Sequence, residues 1–352
     1  MLAFGLLPLT AAPLPRLFKA YLAFNAYCCI NYFVAWFFIR GVADPLYFNQ
    51  LVFLPIGVLL LRSKIEEPLV KLMDFMFVLL LLQIVLSAAL ALSGHDLWND
   101  GAFVGGMGNA NDFGIALMLG LVYVWTIRPT DRWTTALSCL LVLAGFLTES
   151  LLILLIAFSI PALTGFLELG SSKRLVLREI QVSALLGAFL GAGYAIRGSL
   201  PHLGRKIAAV LGYAGILSDV TPTGSIYGRV DQFDYAWNAE RHASLLKLWL
   251  VGHPTANVYR PFDSQFLCYA FNFGALMALA FCLFSVLFLI KAYRAEKRWR
   301  AFLVTGLAIF NIAFFSNHLL DYFPMGLLYI TLIAATLRHQ EPPDRPPTRI
   351  SA

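Results

Sequence analysis

Charge is what this chain has least of. Asp, Glu, Lys and Arg make up 13% of its 352 residues, against about 25% in ordinary soluble domains. So little charge excludes a water-soluble domain of normal surface polarity. The net charge of +6 is not a nucleic-acid footprint, because the basic residues are scattered between apolar runs rather than massed in one block. The five cysteines, Cys28, Cys29, Cys139, Cys268 and Cys282, all fall inside apolar runs. They offer neither a disulfide framework nor zinc-ligand spacing, and they read as small buried hydrophobes. No basic stretch precedes the apolar opening MLAFGLLPLTAAPLP, so a cleaved signal peptide is not expected. No internal repeat suggests the inverted duplication common in transporters.

What is there is hydrophobicity, 59% of the residues. Apolar runs of helix-spanning length recur, which predicts transmembrane helices rather than one oversized core. The expected spans are 18–39, 46–61, 70–92, 101–127, 133–148, 150–168, 175–196, 264–290, 300–317 and 319–337. The fold class is therefore an all-α polytopic membrane protein of about 10–11 transmembrane helices, at about 20 residues per span. The eleventh would be residues 2–13, interrupted by Pro8, which read equally as a short span or an interfacial piece. Most Lys and Arg residues sit in one set of alternate loops, which places the C-terminus in the cytoplasm. The organisation expected is one transmembrane domain over 1–338 and a disordered cytoplasmic tail at 339–352.

One segment breaks the apolar pattern. Residues 197–262 carry Arg197, Arg205, Lys206, Arg229, Arg241, Lys247 and Arg260 with His202, His242 and His253, against Asp219, Asp231, Asp234 and Glu240. The topology puts this basic segment outside, as a periplasmic loop. Within it, 229–249 has Val230, Phe233, Trp237, Ser244, Leu245 and Leu248 on one helical face, the pattern of an amphipathic helix lying on a bilayer. Arg241 falls inside that apolar stripe. It either snorkels to headgroups or points into a cavity, steadied by Asp234.

Polar groups also recur at span ends. GMGNANDFG at 106–114 combines glycines with Asn109, Asn111 and Asp112. It suits either glycine-mediated helix packing or a site. Glu149, in the Thr148-Glu149-Ser150 turn, is either wet or paired with a loop arginine. Ser316-Asn317-His318 and Asp321 form a turn on the same side as the long loop. Asp263 and Ser264 open the next span, Ser264 as a helix cap and Asp263 as a dipole-favoured acid or something more. Asp74, beside Lys71, reads as an interfacial charge.

Taken in order, GNANDFG, the hairpin LTES (147–150), GRVDQFDYAW (228–237), the junction DSQFLCYAFNFG (263–274) and the closing pair of spans resemble the bacterial O-antigen polymerase and ligase superfamily of polytopic glycosyltransferases. The resemblance runs from about residue 70 to 337. Leu151 stands where the family hairpin often has Arg. Asp263-Ser264 stands where ligases tend to have His-Asn, which favours a polymerase-like member.

The resemblance implies transfer of a glycan from an undecaprenyl-diphosphate carrier to an acceptor sugar, on the periplasmic face of a bacterial inner membrane. It implies no metal and no cofactor. The partners implied are the lipid-linked oligosaccharide, membrane lipids and a chain-length regulator, with no nucleic acid. Guanidinium groups suit a diphosphate because they bind its oxygens bidentately and stay charged. Arg229, Arg241 and Arg260 are the candidates for that role. The acceptor hydroxyl needs a base within about 3 Å. Asp263 is the first candidate, with Glu149 and His253 behind it, and Asn111, Asp112 and His318 would line the cavity. Two other classes are an O-antigen ligase acting on lipid A-core and a lipid-linked oligosaccharide flippase. The flippase would need a polar route through several spans, whereas here polar residues gather on the external side.

Overall fold

The computed structural model describes residues 13–35, 46–63, 68–93, 109–128, 132–150, 262–320 and 324–340, together with Tyr322 and scattered positions between 152 and 252. These residues are helical throughout, with an isolated bridge between Ala295 and Gln340 and no strand among them. The helices are α1 (Arg16–Ala35), α2 (Leu46–Arg62), α3 (Pro68–Leu92), α4 (Ala110–Thr126), α5 (Arg132–Leu147), α6 (Gln265–Phe273), α7 (Ala275–Tyr293), α8 (Lys297–Phe314) and α9 (Met325–Arg338).

Helix α4 is the axis of the bundle. Every residue from Asp112 to Val124 is buried, because α3, α5 and α8 pack around it. Asn109 starts it in extended geometry, its side chain accepting the Asn111 backbone N–H at 2.8 Å, a standard N-cap. Gly114 explains how its neighbour comes so close. A Cβ there would stand 2.3 Å from Ile153 Cγ1, so the glycine in the GNANDFG run admits the following helix against the α4 backbone. Helix α8 sits on the other side of α4 and α9 lies against α8 and α2. An aromatic seam joins α1, α6, α7, α8 and α9, from Tyr21 and Phe24 through Tyr269 and Phe281, stacked at 4.6 Å, to Phe314 and Tyr329. Such pairs add about 0.5–1.5 kcal/mol each beyond area burial.

Two stretches, Val70–Leu90 in α3 and Ala275–Tyr293, are long and apolar enough to cross a membrane, with mean hydropathy 2.3 and 2.4. Only 22% of each is buried inside the protein, so most of their apolar surface faces outward. On α3 that surface is a stripe of Phe75, Val78, Leu79, Leu82, Val85 and Leu86 at helical spacing. Helices α4, α5 and α9 are shorter apolar helices of 17, 16 and 14 residues. Of the expected spans, 175–196 lies outside the described residues.

Two sequence expectations, the unbroken span at 264–290 and the burial of Cys139, need correction. The span expected at 264–290 is two helices, broken at Gly274, whose φ of 99° and ψ of 157° end α6 and start α7. Asp74, read as an interfacial charge, is partly exposed and has partners. It pairs with the Arg128 guanidinium and accepts the Tyr123 hydroxyl at 2.6 Å, joining one end of α3 to the end of α4. Cys139 is exposed rather than buried, on the face of α5 that also presents Leu140 and Leu143 outward. The packed body continues past Arg338: His339 stacks on Trp299 at 4.7 Å, and Gln340 Nε2 donates to the Lys291 carbonyl at 3.0 Å.

Candidate functional site

The start of α4, the end of α5, the start of α6 and the end of α8 meet at one end of the bundle. They are joined by side-chain amides. Asn111, in the first turn of α4, donates through Nδ2 to Asn317 Oδ1 at 3.0 Å, and its Oδ1 accepts the Ser150 hydroxyl at 2.6 Å. One amide thus clasps three segments separated by 39 and 206 positions. Asn317 in turn donates to Ser316 Oγ at 3.2 Å.

The turn after α5 is built to deliver Ser150. Thr148 N–H donates to the Ala144 and Gly145 carbonyls, and Thr148 Oγ1 donates to the Gly145 carbonyl at 2.7 Å. Glu149 then takes a left-handed conformation, φ 52°, which costs a residue with a Cβ roughly 1–2 kcal/mol. The reversal ends α5 and directs the chain toward α4. Thr148, Glu149 and Ser150 are all buried, so Glu149 is not the wet turn residue that was one of its sequence readings.

The start of α6 is tied to the same turn. Ser264 caps α6 by accepting from Leu267 N–H at 3.4 Å, and its hydroxyl donates to the Phe314 carbonyl at 3.2 Å. Gln265 is fully buried. Its Oε1 accepts the backbone N–H groups of Leu319 and Leu320 at 2.8 and 3.1 Å. This fixes the segment that carries His318, whose ring lies 5.1 Å from that of Tyr322. The Gln265 Nε2 and His318 Nε2 atoms are buried without a hydrogen-bond partner. The Gln265 amide thus has an N–H at this end open to an acceptor.

The long polar loop reaches this end through two described pieces. Residues 231–236 are helical. Gln232 Oε1 accepts the Asp263 backbone N–H at 2.9 Å, the Tyr235 ring lies 5.9 Å from Phe271, and Ala236 is buried. Phe233 is 62% exposed. Farther on, the Leu250 carbonyl accepts the Tyr27 hydroxyl at 2.5 Å and Asn31 Nδ2 at 3.4 Å. Gly252, with φ 78°, and Gly274 let this strand of chain cross the α6–α7 break. Added Cβ atoms would stand 2.5 Å from the Phe271 carbonyl and 2.6 Å from the Trp249 carbonyl.

The nine residues singled out from sequence divide cleanly. Asn111, Asp112, Glu149, Asp263 and His318 sit on segments that the amide network joins. Asp112 is buried in the first turn of α4, where the helix dipole favours an acid. Arg229, Arg241, His253 and Arg260 lie outside the described residues. Sequence reasoning missed Gln232 and Gln265 as positioning groups. The available signal for Gln265 was an amide directly after a capping serine in an otherwise apolar run. No cluster of three or more His, Cys, Asp and Glu side chains able to hold a metal occurs among the described residues. The chain matches no protein-family model and no curated protein sequence.

Proposed function

We propose that this chain is a polytopic inner-membrane glycosyltransferase of the O-antigen polymerase type. In this reading it joins undecaprenyl-diphosphate-linked repeat units on the periplasmic face, in the synthesis of O-antigen, capsule or exopolysaccharide. The observation that carries the reading is the network in which Asn111 joins Ser150 to Asn317. It joins the GNANDFG and LTES motifs to the turn after α8, to which Ser264 and Gln265 also tie the α6 start beside Asp263. The outward apolar stripes of α3 and α7 support a lipid surrounding, since soluble proteins rarely leave such large patches uncovered. The positive-inside distribution supports a periplasmic long loop and a cytoplasmic C-terminus.

In the proposed chemistry, Arg229, Arg241 and Arg260 hold the diphosphate leaving group and stabilise the charge that grows on it. Asp263 takes the proton of the acceptor hydroxyl as that oxygen attacks the anomeric carbon and the diphosphate departs. Glu149 and His253 are the alternative bases. Asn111, Asp112 and His318 position the glycan.

The test is transfer by purified protein supplied with undecaprenyl-diphosphate-linked repeat units. A ladder of lengthening glycans supports the polymerase reading. A single transfer onto lipid A-core would make the protein a ligase, and the absence of any transfer would overturn both.

A further inference from the structure

Helix α4 presents more than its polar start to this end of the bundle. Asp112, Ala116, Leu119, Gly120 and Tyr123 recur at three- and four-residue steps, so they form one stripe along the helix. The top of the stripe is the buried acid, one residue from the Asn111 clasp. The bottom is Tyr123, whose hydroxyl ties α4 to Asp74 of α3. Between them α3 and α4 part to leave a cavity of about 230 Å³. Its walls are Met73, Met76, Phe77 and Leu80 on one side, and Ala116 and Gly120 on the other. Pro324 and Leu328 of the α9 start complete its lining, which places it next to the turn carrying Asn317 and His318. Leu79, also in the lining, is 39% exposed, so the cavity communicates with the outward apolar face of α3.

We infer that this groove holds the hydrocarbon chain of the lipid carrier while the carrier's polar head occupies the amide-joined end. The inference rests on the reading of the protein as acting on a lipid-linked glycan. Three features select this occupant. The lining is apolar apart from Gln83, so a sugar or phosphate there would lose its hydration without enough hydrogen bonds in return. The groove follows α3 from Met73 to Gln83, about 15 Å at 1.5 Å per residue. An apolar path of that length suits an extended hydrocarbon chain. Finally, Ala116 is one helical turn from Asp112, so a chain in the groove continues directly into the polar end. Gly120 lets α3 come close beside the groove, since a Cβ there would lie 3.0 Å from Leu80 Cδ2 and 3.5 Å from Phe77 Cδ2, so a larger side chain would crowd it.

The test is native mass spectrometry of the full-length protein, offered equal amounts of undecaprenyl phosphate and phosphatidylglycerol. The wild type should retain the polyprenyl lipid in preference by about tenfold or more. Gly120→Leu and Met76→Phe, which fill the groove, should each lower that retention by about tenfold. Val85→Ala, on the outward face of α3, should leave it unchanged. Equal retention of the two lipids by the wild type, retention of neither, or unchanged retention in a filled variant with a normal melting temperature would overturn the inference. The wild-type competition decides the matter even if both filled variants fail to fold. Polyprenyl retention without any glycan transfer would leave the groove standing and remove the polymerase reading. Transfer that filling the groove does not affect would do the reverse.

Discussion

Asn111 and Asn317 meet side chain to side chain at 3.0 Å, though 206 positions separate them. The first begins α4 and the second follows α8, so their contact closes one end of the bundle. Because Asn111 also accepts the Ser150 hydroxyl, both functions of its amide are engaged. Replacing Asn111 by Ala should strand the partners, at about 1–3 kcal/mol for the buried groups left unpaired. Asn317→Ala should cost less on top of Asn111→Ala than alone. A double-mutant cycle on thermal unfolding in detergent should give a coupling of about 0.5–3 kcal/mol, and simple additivity would mean the contact does not form.

Gln265 should behave as a scaffold for the turn that carries His318. Its buried oxygen accepts two backbone N–H groups, those of Leu319 and Leu320. Gln265→Leu keeps the volume roughly but leaves both donors in an apolar surrounding. The expected loss is about 1–3 kcal/mol per stranded donor, with lower transfer activity as the turn shifts. A melting temperature equal to the wild type would show that the turn holds itself.

Gly274 should resist substitution more than its place in an apolar run suggests. Its φ is 99°, and a Cβ would approach the Trp249 carbonyl to 2.6 Å. Gly274→Ala therefore combines backbone strain of about 1–3 kcal/mol with displacement of the loop segment crossing it. Gly252→Ala should do the same from the other side of the crossing. Limited proteolysis reads this out, with cleavage in the 197–262 loop increasing in both variants and staying at the wild-type level if the crossing is unimportant.

The ion pair of Asp74 and Arg128 should matter little to stability. Their side chains are 36% and 48% exposed, and pairs that wet contribute about 0–1 kcal/mol. Arg128→Gln should therefore shift unfolding by less than about 1 kcal/mol, since the Tyr123 hydroxyl still reaches Asp74. A larger loss would mean that the clasp between α3 and α4 is held by the charge rather than by the hydroxyl.

These contacts show which features were legible in the sequence and which were not. The glycine of GNANDFG as a helix-packing position and the Ser264 cap both follow from local chemistry at known spacing. They were readable, and Gly114 against Ile153 and Ser264 against Leu267 bear them out. The break at Gly274 was hidden because one glycine in a long apolar run is compatible with an unbroken helix. Its cause is the crossing of Trp249, a contact between distant parts of the chain. The Asp74–Arg128 pair was hidden for the same reason, since periodicity places each residue on a helix but does not say which helices are neighbours. Gln265 was hidden by its context, where a buried amide among Phe and Leu reads as a helix surface position until its partners are known.

Asp263 and Ser264 offer the sharpest separation of chemistry from folding. They are adjacent at the α6 start, but their roles differ. Ser264 caps the helix and bonds the Phe314 carbonyl, so Ser264→Ala should lower stability by about 0.5–2 kcal/mol. The Asp263 backbone N–H donates to Gln232 Oε1, and Asp263→Asn keeps both that bond and the size of the side chain. Asp263→Asn should leave the melting temperature near the wild type while reducing transfer by about 10²–10⁴-fold, the range for loss of a general base. Transfer assays with the two variants side by side distinguish the cases. If Asp263→Asn transfers normally, the base is another group and Asp263 serves only the helix start. If it loses stability and activity together, as Ser264→Ala is expected to lose stability, the carboxylate belongs to the structure rather than to the reaction.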